Sequence, residues 1–84
     1  MINMFFAYVI KSGEFNYYYK GHTSNLEKRL GEYNSGMTKS IKKYTPFILV
    51  YIEQFETEKE SIEREKYFKT AAGRRYLKSR ILVP

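Results

Sequence analysis

The segment from Met4 to Ile10 carries no polar face. Phe6, Tyr8 and Ile10 fall on one side of an extended chain, and Phe5, Ala7 and Val9 fall on the other. A strand of this kind must be central in its sheet or covered on both sides, because neither face tolerates water. In a chain of 84 residues that demand leaves room for a single domain, residues 1–84, with one compact core.

The rest of the chain supplies what such a strand needs. Lys11 to Glu14 has turn chemistry, and Phe15 to Lys20 reads as a second strand forming a hairpin with the first. On it Tyr17 and Tyr19 share one face, Tyr18 and Lys20 the other. Ser24-Asn25-Leu26-Glu27 is a capping box, with Ser24 as N-cap, and it opens a helix whose core stripe is Leu26, Leu30 and Tyr33. Asn34-Ser35-Gly36 stops that helix. A polar, basic loop from Gly36 to Thr45 follows, and Pro46 leads into a third strand, Phe47 to Phe55. A second capping box, Thr57 to Glu60, opens a helix running to about Thr70. Gly73 breaks the pattern, and a short basic helix from Arg74 to about Arg80 follows. The order β-β-α-β-α-α describes an α+β domain, a small three-stranded sheet flanked by helices.

Composition removes several chemistries. The chain has no cysteine and one histidine, His22, which excludes disulfides, thiolate nucleophiles, cysteine-based zinc sites and multi-histidine metal sites. His22 lies just before a helix cap and reads as an exposed residue rather than a catalytic one. Met1-Ile2-Asn3-Met4 has no basic run leading an apolar segment, and the apolar run Phe47 to Ile52 is too short to span a bilayer. A cytoplasmic protein with no membrane contact is expected.

Charge points toward a polyanion. Fifteen Lys and Arg oppose nine acids, giving +6, the balance expected of a nucleic-acid-binding domain. From Arg64 to Arg80 seven basic residues accompany one acid, Glu65. All nine acids are glutamates, so a divalent ion held here must be held by Glu. Glu65 falls between Ile62 and Phe68, on the core-facing side of its helix, while Glu63 and Arg64 point away. A carboxylate there must be paired or bound to metal. Arg29, one turn before Tyr33, is the partner it would take in a purely structural ion pair. Tyr8, taken alone, alternates with Phe6 and Ile10 and reads as core. Tyr17, Tyr18 and Tyr44 read as packing or surface residues.

Five stretches then stand in a telling order: Phe6-Ala7-Tyr8-Val9-Ile10, Tyr19-Lys20-Gly21, the helical Thr23 to Leu30 with Arg29, Tyr33 one turn later, and Ser61 to Lys66 with Glu65. None is specific alone. The ordered set, at this spacing, resembles the GIY-YIG nuclease superfamily over nearly the whole chain. It is most similar to the small single-domain bacterial members, themselves similar to the nuclease module of the excision-repair incision subunit. Tyr8 and Tyr19 stand at the tyrosines of the two naming motifs, Arg29 at the family arginine, Tyr33 where members carry Tyr or His, and Glu65 at the metal-binding glutamate. Both naming tripeptides are degenerate, and Lys20 replaces an apolar middle residue. The tail Thr70 to Arg75 lacks a tryptophan that some small members carry.

The resemblance implies a metal-dependent endonuclease that hydrolyses DNA phosphodiester bonds, by structure- or damage-directed nicking in DNA repair or processing. One Mg²⁺ or Mn²⁺ on Glu65 would neutralise charge and hold the leaving oxygen. Arg29 would grip the nonbridging oxygens. Tyr8 and Tyr19 would orient the water, one of them taking its proton, with Tyr33 the second choice of base. Lys39, Lys42, Lys43, Arg74, Arg75 and Lys78 would contact backbone phosphates of a branched or damaged DNA, to which a targeting protein would bring the domain. Two other readings remain: a catalytically weak nucleic-acid-binding relative, and a basic RNA-associated module in which Arg29 and Glu65 only pair with each other.

Overall fold

The strand without a polar face is the middle of the sheet. The computed structural model describes residues 4–81; Met1, Ile2 and Asn3, read above for a leader, lie outside them. Strand β1 (Phe5–Ser12) pairs antiparallel with β2 (Tyr18–Thr23) on one side and β3 (Phe47–Phe55) on the other, in the order β2-β1-β3. The pairing with β3 shifts register between Val9 and Ile10. Helix α1 (Leu26–Asn34) and a 3₁₀ helix (Lys39–Tyr44) cover one face, and helices α2 (Glu58–Phe68) and α3 (Ala71–Ile81) cover the other. The α+β architecture and its element order are those the sequence predicts.

Two half-cores result, one per face. Tyr8 and Ile10 pack with Tyr33, Ile41 and Phe47 beneath α1. Ala7 and Val9 pack with Phe68 and Leu77 beneath α2 and α3. Each residue of β1 from Ala7 to Ile10 is at most 1% exposed, so alternate side chains of one strand anchor both layers. Among the described residues no helix is long and apolar enough to cross a membrane.

Several boundaries differ from the sequence reading. The hairpin turn lies later than Lys11 to Glu14. β1 runs on to Ser12, whose Oγ accepts from the backbone N–H of Glu14 (3.2 Å) and Phe15 (3.0 Å). Phe15 to Tyr17 therefore stay in the loop, where Tyr17 stacks on Tyr44 at 3.8 Å. β2 extends instead to Thr23, which makes Gly21 and His22 strand residues. The N-cap of α1 is Asn25, not Ser24; its side-chain oxygen accepts from Lys28 N at 3.1 Å. Thr57 does cap α2, accepting from Glu60 N at 3.2 Å. Gly73 does not break a helix. It lies buried inside α3, which begins at Ala71.

Arg64 also departs from expectation, since it does not point into solvent. Its guanidinium lies 4.7 Å from the Tyr67 ring centroid and 4.9 Å from that of Tyr76. Its Nε and Nη2 donate to the two Glu53 oxygens at 2.8 and 3.2 Å. Burial would raise the Glu53 carboxyl, but the hydrogen bonds from Arg64 and Tyr51 outweigh it and hold the group below its ordinary 4.5. A depressed folded-state value means the pair stabilises the fold above that ordinary value and stops doing so as pH falls through the depressed one. Glu53→Gln should therefore cost about 1–2 kcal/mol at pH 7. The gap to wild type should narrow below pH 4.5, as read by urea unfolding across pH.

Candidate active site

The register of the hairpin builds the site. Tyr8 stands opposite Gly21 across β1 and β2. A Cβ at Gly21 would fall inside the contact radius of the Tyr8 hydroxyl. Without a side chain at this position the phenol can pass close over the β2 backbone. From there the Tyr8 hydroxyl reaches that of Tyr33 on α1, at 2.7 Å. Tyr19, on the same face of β2, packs the edge of its ring against Tyr33, with centroids 5.4 Å apart. Arg29, one helical turn before Tyr33, lays its guanidinium 4.8 Å from that ring's centroid. Its Nη1 donates to Glu32 Oε1 at 3.1 Å.

Four of the five expected catalytic residues thus form one cluster on the α1 face. Tyr8, at 1% exposure, and Tyr33, at 2%, sit beneath its surface, while Tyr19 and Arg29 are partly exposed. Burial pushes the Tyr8 phenol far above its ordinary value, and Tyr33 adds to that; the nearby Arg29 only partly offsets it. Burial raises the Tyr33 phenol as well. Both are held neutral. In that state each hydroxyl can donate one hydrogen bond as well as accept. The Arg29 cation is strengthened despite its partial burial, by Glu32 first and then by the phenols of Tyr33 and Tyr8.

The fifth residue comes from the opposite layer. Glu65 projects from α2 to the β2 edge, where His22 Nδ1–H donates to its Oε1 and Lys69 Nζ to its Oε2, each at 2.7 Å. A charged carboxylate has no proton to give, so Nδ1 carries the hydrogen. Burial raises the Glu65 carboxyl, but the bonds from Lys69 and His22 outweigh it and hold the group ionised. Lys69 is in turn held above its ordinary value, first by its hydrogen bond to Glu65. The Arg29–Glu65 ion pair is not formed.

Sequence reasoning missed His22 and Lys69. His22 was read as a pre-helical loop residue, and only the extension of β2 to Thr23 turns it toward α2. Lys69 did carry a signal, since it lies four residues after Glu65 on one helix. The six expected DNA contacts are not brought together. Lys39, Lys42 and Lys43 are exposed on the 3₁₀ helix of the α1 layer, and Arg74, Arg75 and Lys78 on α3 of the other.

The GIY-YIG catalytic domain pattern matches residues 4–78. The chain belongs to the GIY-YIG family. It is similar to a UPF0213 protein of Staphylococcus haemolyticus, 35% identical over 74 residues that cover 87% of this chain and 89% of that relative. It is similar also to the UPF0213 protein YazA of Bacillus subtilis, 38% identical over 80% of this chain and 68% of the relative. A UPF0213 protein of Listeria welshimeri is 37% identical over 80% of this chain and 74% of its own. GIY-YIG domains belong to a nuclease superfamily, act on DNA and generally use divalent metal ions.

Among the described residues no three His, Cys, Asp or Glu side chains cluster as a metal cage. The donor set still fits one hard divalent ion, which is commonly bound through one or two carboxylates with water and substrate phosphate completing its shell. Glu65, kept charged beside β2, is the carboxylate that could hold one.

The Gly21–Tyr8 contact can be tested directly. Gly21→Ala should destabilise the domain by about 2–3 kcal/mol. Pairing it with Tyr8→Phe should recover part of that loss by removing the clashing hydroxyl, a coupling readable from thermal unfolding of the double-mutant cycle.

Proposed function

We propose that this GIY-YIG domain is a metal-dependent endonuclease that nicks DNA, directed by structure or damage rather than by sequence. One observation supports the reading: Tyr8, Tyr33 and Tyr19 cluster with Arg29 on the α1 face of the sheet, and the ionised Glu65 is anchored to His22 of β2, the edge strand that also carries Tyr19. Phosphodiester hydrolysis needs a positioned water, a proton acceptor, compensation of phosphate charge and a stabilised leaving oxygen. Arg29 grips the nonbridging oxygens with donors beyond the one given to Glu32. Tyr33 and Tyr8, both neutral and linked hydroxyl to hydroxyl, fix the Arg29 plane and the Tyr19 ring. Tyr19 is the phenol left to orient the attacking water; its oxygen takes the water's proton as the new P–O bond forms, while its own proton passes to solvent. The old P–O bond breaks, and its oxygen leaves protonated from solvent. A divalent ion on Glu65 would supply charge neutralisation at the phosphate and the leaving oxygen.

Conversion of supercoiled plasmid to the nicked circle, with Mg²⁺ or Mn²⁺, tests the reading. Nicking that stops on chelation and is faster on branched or damaged duplex is the expected result. A second reading, a nucleic-acid binder with little activity, is favoured by the full occupation of Glu65 by His22 and Lys69. DNA binding without nicking under any divalent ion would establish it. In the RNA-module reading Arg29 and Glu65 only pair with each other; Glu65 is instead held by His22 and Lys69, and binding of structured RNA without DNA binding would establish that reading.

A further inference from the structure

The face of β2 turned away from Tyr19 carries a groove. It has a volume of about 290 Å³ and opens between β2 and α3. Val9, Tyr18 and Leu77 make an apolar floor, and Lys20, Arg74 and Lys78 stand around it, with Asn16 at one end. The ion pairs among the described residues are His22–Glu65, Arg29–Glu32, Lys59–Glu63, Arg64–Glu53 and Lys69–Glu65. None of them takes a cation of this groove. Lys20 is no freely solvated surface lysine. It is partly buried, and its ammonium is pushed down by that burial and by the charges of Arg74 and Lys69. Cations gathered without a counter-charge repel one another, and an anion in the groove relieves that repulsion. This also gives Lys20, the residue that replaces an apolar one in the second motif, a task on the face away from Tyr19.

The floor narrows the choice of anion. Inorganic phosphate has no use for an apolar surface beside its charges, whereas a nucleobase does. The volume lies at the small end of ligand pockets, suited to one nucleotide rather than a duplex. The Tyr18 hydroxyl is buried without a partner beside this groove, and an acceptor brought to it by a ligand would meet that deficit. Position fits as well. Arg74 Nη1 donates to the Lys69 carbonyl at 2.7 Å, and Lys69 holds Glu65, so cations run continuously from the candidate cleavage edge into the groove.

We propose that this groove binds a single nucleotide, its phosphate against Lys20, Arg74 and Lys78 and its base on the floor of Val9, Tyr18 and Leu77. The nucleotide comes either from an unpaired stretch of a DNA strand, which rests on the nuclease reading, or from a free mononucleotide, which does not.

NMR titration of the intact chain, at constant ionic strength and without divalent metal, tests the site. The probes are 2′-deoxyadenosine 5′-monophosphate, sodium phosphate and single-stranded oligo-dA of eight nucleotides. The mononucleotide should shift the amides of Tyr18, Lys20, Arg74 and Lys78, and phosphate should not reproduce the pattern. Lys20→Met should weaken binding about tenfold. Lys78→Glu, on an exposed helical position that cannot disturb the core, should do the same. Lys59→Ala, on the exposed start of α2, should leave the titration unchanged. Much tighter binding of the oligonucleotide at the same amides identifies a strand as the source, and equal or weaker binding identifies the free nucleotide. Equal shifts from phosphate, shifts confined to the surroundings of Tyr19 and Arg29, or no shifts would overturn the proposal. No cleavage is required, so a protein that never nicks DNA but binds the mononucleotide keeps this site and loses the other reading.

Discussion

Glu65→Gln is expected to lower metal-dependent nicking at least about a hundredfold while leaving the fold in place. The substitution is nearly isosteric. Its amide oxygen still accepts the His22 Nδ1–H bond that holds the native side chain at 2.7 Å. It loses the negative charge, and with it the ion pair to Lys69 and the affinity for a hard cation. Because Lys69 is more than half exposed, the lost pair costs little stability. Circular dichroism and thermal unfolding should therefore match wild type closely while the nicking rate collapses. Glu65→Ala confounds the two effects by also stranding His22, so Gln is the sharper variant. If Glu65→Gln nicks at the wild-type rate, the carboxylate is only an anchor between α2 and β2, and its role as the metal ligand fails.

Gly73→Ala should be the most damaging single methyl in the chain, with a loss of about 4 kcal/mol or more. The added Cβ would overlap the backbone carbonyl oxygen of Tyr67 and lie 2.8 Å from Phe68 Cα. Backbone cannot swing aside as a side-chain tip can. α2 and α3 would have to part, unseating Phe68 and Leu77 from the core beneath them. For a domain this small that is a large share of total stability, and the variant should be mostly unfolded at 37 °C by circular dichroism. Gly31→Ala is the contrasting case. Gly31 is helical, and its added Cβ meets nothing within 4 Å, so alanine should stabilise α1 by about 0.5–1 kcal/mol. Equal effects at the two positions would contradict the packing at Gly73.

These two glycines show where sequence runs out. Both stand in helical surroundings, and both look locally like blemishes in a helix. Gly73 was even predicted to end one. What separates them is the presence or absence of a second helix alongside, and composition within a few residues cannot report that. The same holds at the site. The capping residue of α1 moved from Ser24 to Asn25 and the start of β2 from Phe15 to Tyr18, because local hydrogen bonds at Asn25 and Ser12 decided them. The end of β2 moved on to Thr23, which turned His22 from a loop residue into a hydrogen-bond partner of Glu65.

The apolar strand from Met4 to Ile10 did determine a great deal by itself. Period-two alternation with no polar face forces a central strand, and the helical stripes and caps around it leave one order of elements. The grouping of Tyr8, Tyr19, Arg29 and Tyr33 was implied by the resemblance to the GIY-YIG family. Periodicity gave only the face that each occupies on its own element. The partners of Glu65, Arg29 and Lys20 were not legible. His22 and Glu65 are 43 residues apart, and whether they meet depends on how α2 crosses the sheet. Only the packed structure sets that crossing, through the volumes of the side chains between the layers.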